Sequence, residues 1–217
     1  MRHYDAVIFD LDGTLLDTSE GIFRSVEYVI DTLKLPRLPE EVMRTFIGPP
    51  IQKSFARIYG MDKAEAGNAA ELFRNRYKEN DLLLAKPYDG IFEAIRDLNE
   101  AGARTAVATY KRQDYAEKIL KHFGFDKVCD IMCGADFDGV LTKKDIIENA
   151  INGLGISNRS RIVMVGDSDN DAVGAEEINV AFIGVTYGFG FLSSEDVNVY
   201  SNIGTADRPS QIVRIVL

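Results

Sequence analysis

Two aspartates one residue apart, Asp10 and Asp12, follow the apolar run Ala6-Val7-Ile8-Phe9 and lead into Gly13-Thr14. An uninterrupted apolar run of this length reads as a strand buried on both faces of a parallel sheet, so the carboxylates fall where that strand ends. Side chains alternate along an extended chain, which sets Asp10 and Asp12 on one side and Leu11 on the other. Carboxylates so close repel. One is driven toward its protonated form unless a cation lies between them, or the two divide the work of nucleophile and proton carrier. Asp-x-Asp-Gly is also ordinary turn chemistry, so the rest of the chain must decide between a solvated turn and a reactive site.

Three further segments bear on that decision. Arg104-Thr105-Ala106-Val107-Ala108-Thr109 reads as a strand finishing in a hydroxyl, before a helix expected over about residues 114–123. Thr109 has the chemistry to donate to a phosphate oxygen, and equally to cap a turn. Leu141-Thr142-Lys143-Lys144-Asp145-Ile146-Ile147 opens a helix with a lysine pair, whose charge would neutralise carboxylate or phosphate. Arg161-Ile162-Val163-Met164-Val165-Gly166 repeats the opening pattern and delivers Asp167 and, four residues on, Asp171. Two acidic strand ends suggest a metal site.

The order Asp-x-Asp-Gly-Thr, Thr, Lys, Gly-Asp-x-x-x-Asp resembles the haloacid dehalogenase superfamily of phosphohydrolases over essentially the whole chain. The resemblance implies that Asp10 is the nucleophile, forming an aspartyl-phosphate, and that Asp12 is the acid and base. It implies Mg²⁺ held by the Asp10 carboxylate, the Asp12 backbone carbonyl and Asp167, with Asp171 acting at one remove or through water. Thr109, Lys143 and the amides near Leu11 and Tyr110 would bind the phosphoryl oxygens. Lys143 is preferred to Lys144 because relatives carry Lys-x-Asp/Glu-x-Ile at this helix start. One departure stands out: relatives commonly place Asn after the Thr, whereas this chain has Tyr110 and then Lys111. Its phenol either narrows the pocket or simply packs. A phosphomutase would keep the same residues. A non-catalytic regulatory module would ordinarily have lost the nucleophile or the acid.

These side chains need a doubly wound, Rossmann-like parallel sheet in an α/β core, expected over residues 1–16 and 84–217. Residues 17–83 lack convincing strands and read as an inserted four-helix cap, similar to the small helical caps of phosphoglycolate phosphatase-like members. Ile22, Val26, Val29, Ile30 and Leu33 recur at helical spacing after Thr18 and Ser19, which are suited to capping. Gly48-Pro49-Pro50 is expected either to face the site and contribute to specificity or to form a rigid turn. Arg44, Lys53 and Arg57 have the charge to meet an anionic substrate tail, though charges on amphipathic helices are usually solvated. Residues 187–202, rich in Gly and Ser and then polar, suggest either a loop near the substrate or a sheet edge.

With 34 acidic against 25 basic residues the chain carries a formal charge of −9, which repels nucleic-acid backbones and anionic membranes. A small phosphomonoester needs only local cations, such as Mg²⁺, a lysine and helix amino termini. No leader or apolar window of about 18 residues is evident, so a cytoplasmic protein is expected, as a monomer or weak homodimer. Cys129 and Cys133 are too close along one strand for an unstrained disulfide, and His3 and His122 lack the spacing to complete a metal site with them.

Overall fold

The computed structural model describes residues 4–137 and 139–217; His3 lies outside the described residues. The chain divides into two compact units, one formed by the residues up to Leu16 together with Pro87–Leu217, the other by Asp17–Lys86.

The strands, in chain order, are β1 (Ala6–Phe9), β2 (Leu16–Asp17), β3 (Lys86–Pro87), β4 (Arg104–Arg112), β5 (Ile131–Ala135), β6 (Ile162–Gly166), β7 (Ala181–Val185) and β8 (Gly204–Ala206). β2 and β3 form a short pair where the chain crosses between units; the other strands build the sheet of the first unit. The sheet order is β5-β4-β1-β6-β7-β8 and every pairing is parallel. The chain therefore winds outward from β1 to β5, then returns to the other side of β1. In such sheets the carboxyl edge at the reversal is where ligands bind. All four residues of β1 are fully buried, as a central strand covered on both faces requires.

Helices cover both faces. α7 (Lys143–Leu154) and α8 (Asp169–Glu177) pack together, and Ile146, Ile147, Ala150, Ala172 and Ala175 meet Ala6, Ile8, Ala106 and Met164 in one apolar cluster. Residues facing the other way along the strands are covered by α5 (Ile91–Glu100), which also packs on α10 (Pro209–Val216); α6 (Gln113–Phe123) lies against β4 and β5. Residues 187–202 contain the short helix α9 (Ser194–Val197) and lead into β8, an edge strand whose three residues are too few to show a pattern.

The second unit holds α1 (Ser19–Leu33), α2 (Glu40–Arg44), α3 (Ile51–Tyr59) and α4 (Lys63–Arg76), the last running into one π-helical turn, Tyr77–Asp81. Phe46 and Phe55 meet edge to face with ring centres 5.0 Å apart. Buried Asp81 accepts from Ser25 Oγ and Arg76 Nε, tying the π turn to α1. Thr18 makes no side-chain capping bond; Asp17 Oδ1 instead accepts from Ser19 N and Oγ, because a carboxylate one residue earlier reaches the free amide with full charge. Pro50 sits at the N-cap of α3, so Gly48-Pro49-Pro50 is a turn into that helix. Arg44 is paired with Glu40 and Arg57 donates to the Thr45 carbonyl.

The sheet is irregular at the end of β4. That strand continues past Thr109 to Arg112, but Ala108 is paired with Cys133 and Arg112 with Ala135, so Thr109, Tyr110 and Lys111 together stand opposite Gly134 alone. A bulge of this kind re-aims side chains at the strand end. Gly134 makes it possible: a Cβ there would lie 2.5 Å from the Lys111 carbonyl oxygen and 2.8 Å from Gln113 Cα. Gly134→Ala is therefore expected to destabilise the fold by about 2 kcal/mol or more, measured by urea unfolding, since the obstruction is backbone and not a flexible side-chain tip. A variant as stable as the parent would show that the bulge does not need glycine.

Candidate active site

β1 is paired with both β4 and β6, in a register that sets Phe9 beside Val107 and Val165. Asp10, Thr109 and Asp167, just beyond those positions, are thereby delivered to one edge of the sheet. The chain turns immediately after Asp12, with the amides of Thr14, Leu15 and Leu16 all donating to the Leu11 carbonyl. Gly13 takes φ of 84°, and a side chain there would overlap the Asp167 carboxylate.

Lys143 joins the groups from the opposite side. It is the first residue of α7, whose start is fixed by a reciprocal cap: Thr142 Oγ1 accepts from Asp145 N, and Asp145 accepts from Thr142 N. From there its side chain runs past Gly174 of α8, where a Cβ would come 3.0 Å from Lys143 Cγ. Its Nζ ends 2.5 Å from Asp10 Oδ1 and 2.6 Å from Asp171 Oδ1, in surroundings that leave the lysine side chain 4% exposed. Lys144, next in sequence, is half-buried.

Asp171 is held by its other oxygen, which accepts from Ser168 N and Oγ at the start of α8. Gly166 leaves the space its carboxyl occupies. No well-aligned hydrogen bond reaches Asp171 Oδ1, so its contact with Lys143 is an ion contact with lone pairs to spare. Asp167 is clamped likewise: Oδ2 accepts from the amides of Phe189 at 2.7 Å and Gly190 at 3.1 Å. A side chain at Gly188 would strike both that oxygen and the Gly13 carbonyl. The loop is braced by Tyr187, whose hydroxyl donates to the Thr14 carbonyl.

Asp12 has a different partner from Asp10. Lys111, carried into place by the bulge, sets Nζ 3.0 Å from Asp12 Oδ1, both side chains being almost fully buried. Thr109 Oγ1 accepts from Lys111 N at 3.1 Å, so the hydroxyl is placed by its own strand end. Tyr110 Oη accepts from Lys143 N at 2.9 Å.

Burial dominates the electrostatics. It pushes Asp10 well above the ordinary carboxylate range, helped by Asp171, Asp167 and Asp12 and opposed by the Lys143 ammonium. Asp167 is pushed up to about 7 by burial and then by Asp171, against the two loop amides and Lys143. Burial alone would lower Lys143, but the Asp10 and Asp171 carboxylates outweigh it and hold the ammonium charged. Oxygens of Asp10, Asp167 and Asp171 lie within 4.8 Å of one another. An all-oxygen, anionic donor set of this spacing fits a hard divalent cation. Among Asp10, Asp12, Asp167, Asp171, Lys143 and Lys111, four carboxylates face two ammonium groups, an excess that one divalent charge would cancel.

Asp10, Asp12, Thr109, Tyr110, Lys143, Asp167 and Asp171 thus all converge on one sheet edge. The motifs alone did not reveal Lys111 as the partner of Asp12, or the loop amides on Asp167. A basic residue two places after the strand-end Thr and the alternating glycines of Tyr187-Gly188-Phe189-Gly190 were the available signals. The two cysteines are free, and burial pushes the Cys129 thiol up to about 12, which removes it from thiolate chemistry. Among the described residues no helix is long and apolar enough to cross a membrane.

Residues 7–185 match the sequence profile of the haloacid dehalogenase-like hydrolases. A 5'-nucleotidase of Pseudomonas aeruginosa is 37% identical over 89% of this chain and 86% of its own. The tyrosine-protein kinase PtkA of Mycobacterium tuberculosis is 34% identical over 93% of this chain and 69% of its own; its solved structure superimposes with a TM-score of 0.84 and 29% identity, covering 100% and 99% of the two chains. A phosphoglycolate phosphatase of Neisseria meningitidis is 29% identical over 90% and 87%.

The raised Asp167 gives a signed expectation. An unfolded aspartate ionises near pH ~4, whereas Asp167 in the fold does so at about 7. The stability conferred by its neutral form is present below the lower value and lost as the pH rises through the upper one. In chelator-treated buffer the unfolding midpoint should fall between about pH 4 and 7, and Asp167→Asn should flatten that fall. A variant whose stability declines as steeply as the parent's would contradict the assignment.

Proposed function

The chain belongs to the haloacid dehalogenase-like hydrolase family, and from that membership we propose that it is a Mg²⁺-dependent phosphatase hydrolysing a small-molecule phosphomonoester through an aspartyl-phosphate on Asp10. The observation that carries this is the separate partnering of two neighbouring carboxylates: Asp10 with the Lys143 ammonium, Asp12 with Lys111. Two acids with different partners are suited to two roles.

In the first transfer an Asp10 oxygen attacks phosphorus in line, the bond from phosphorus to the ester oxygen breaks, and Asp12 hands that oxygen a proton. In the second, water attacks the same phosphorus, Asp12 takes the water's proton, and Asp10 leaves as a carboxylate, so phosphate is released and the enzyme is restored. Lys143 stays beside Asp10 throughout and compensates charge as it moves onto the phosphoryl oxygens. Thr109 and the amides at Leu11 and Tyr110 would hold the remaining oxygens. Asp10, Asp167 and the Asp12 carbonyl are the groups proposed to hold Mg²⁺, with Asp171 positioning from behind. When bound, the ion would neutralise the carboxylate excess and polarise the phosphoryl group.

The relatives named as a nucleotidase and a phosphoglycolate phosphatase support a small phosphoester as the substrate. The helical unit Asp17–Lys86 is proposed to select the remainder of that molecule, and the protein to work as a cytoplasmic monomer or weak homodimer with no nucleic-acid or membrane partner. Purified protein is expected to release phosphate from at least one of phosphoglycolate, nucleoside monophosphates or sugar phosphates only with Mg²⁺ present. Asp10→Asn should cut kcat by at least about a thousandfold, and Asp12→Asn by about a hundredfold or more. Release that survives Asp10→Asn, or no release even from an aryl phosphate, would overturn the proposal.

A further inference from the structure

Tyr110 occupies the position where the resemblance leads one to expect asparagine, and its phenol is not spent on packing alone. Its ring lies partly buried against the cluster formed by α7, α8 and the sheet, with the Lys143 ammonium 5.7 Å from the ring centre. Its oxygen accepts from the backbone N–H of Lys143. That amide belongs to the first helical residue of α7 and so has no acceptor within its own helix. The Thr142–Asp145 cap uses the amides of Thr142 and Asp145 and leaves this one to a partner from elsewhere.

We infer that Tyr110 is a positioning residue for Lys143, fixing the backbone of the one side chain that bridges Asp10 and Asp171. The lysine stem has four rotatable bonds that move Nζ relative to that backbone, yet the ammonium must stay within hydrogen-bond reach of Asp10 while charge passes to the phosphoryl group. Anchoring the first turn of the helix narrows where Nζ can go. The packed stem at Gly174 narrows it further. The bulge opposite Gly134 supplies the geometry, turning consecutive residues to separate tasks: Lys111 to Asp12, Tyr110 to α7. The consequence for turnover rests on the phosphatase reading, while the anchoring itself does not.

Tyr110→Phe removes the acceptor and keeps the ring. Two readouts on the full-length protein separate the claims. In steady-state hydrolysis kcat should fall about fivefold to tenfold, with KM within about twofold, as expected for one lost buried hydrogen bond that acts through a group needed in the transition state. In a pulse with an amine-acylating reagent followed by peptide mass spectrometry, Lys143 should be modified at least about threefold faster than in the parent, with Lys144 unchanged. A variant with unchanged kcat, or with Lys143 acylated at the parental rate, overturns the inference. So does a lowered melting temperature with both readouts unmoved, which marks a merely structural bond. If the parent hydrolyses nothing, the phosphatase reading fails by itself and the acylation rate alone decides whether Tyr110 holds Lys143.

Discussion

The buried Lys143 ammonium is the charge on which this site depends. Asp10, Asp167 and Asp171 crowd at the end of two adjacent strands, where burial resists ionisation of Asp10 and Asp167. One ammonium in contact with two of the three offsets part of that cost and is itself held charged by them. A buried ion pair of this kind is weak evidence for stability, since desolvation can equal the Coulomb gain. Its presence at a sheet edge where the strand order reverses is better explained by the chemistry it permits. The fold then acts as a set of devices that bring this lysine and these carboxylates together from segments far apart in sequence.

Each device is local and cheap. Three glycines, Gly13, Gly166 and Gly174, leave volumes that the Asp167, Asp171 and Lys143 side chains fill. Two reciprocal caps start α7 and α8 at the residues that matter, and the second uses Asp171 itself as its acceptor, so the oxygen not needed for the cap faces Lys143. The loop after β7 contributes no charged side chain, yet its amides restrain one oxygen of Asp167 and leave the other available. At both carboxylates one oxygen is thus held in place while the other faces its neighbours, a division that short, stiff aspartate suits.

What could be read from sequence tracks the range of the forces involved. Strand ends and the acidic clusters on them were legible because burial writes long apolar runs and because Asp-x-Asp-Gly-Thr and Gly-Asp-x-x-x-Asp are contiguous. The helices of Asp17–Lys86 were legible through apolar periodicity, although α2 ends at Arg44, two residues before Phe46, to which the apolar spacing extends. Lys111 was not legible as a partner of Asp12. Its aim depends on a bulge that exists only because Gly134, on another strand, has no side chain. The Phe189 and Gly190 amides were hidden for a different reason: a backbone donor looks the same in every residue. Thr18 and Ser19 read as caps of α1 by residue type, whereas the acceptor at that helix start is the Asp17 carboxylate, which Ser19 N and Oγ reach.

Whether Asp10 carries the phosphoryl group is tested most directly by rapid acid quench of a single turnover followed by peptide mass spectrometry, with Asp12→Asn used to slow the water step. A phosphoryl group is expected on the peptide containing Asp10, appearing before free phosphate and mapping to that residue. Product formed in the same turnover with no phosphorylated Asp10 at any quench time, or a phosphoryl group found on another residue, would contradict a covalent role for Asp10.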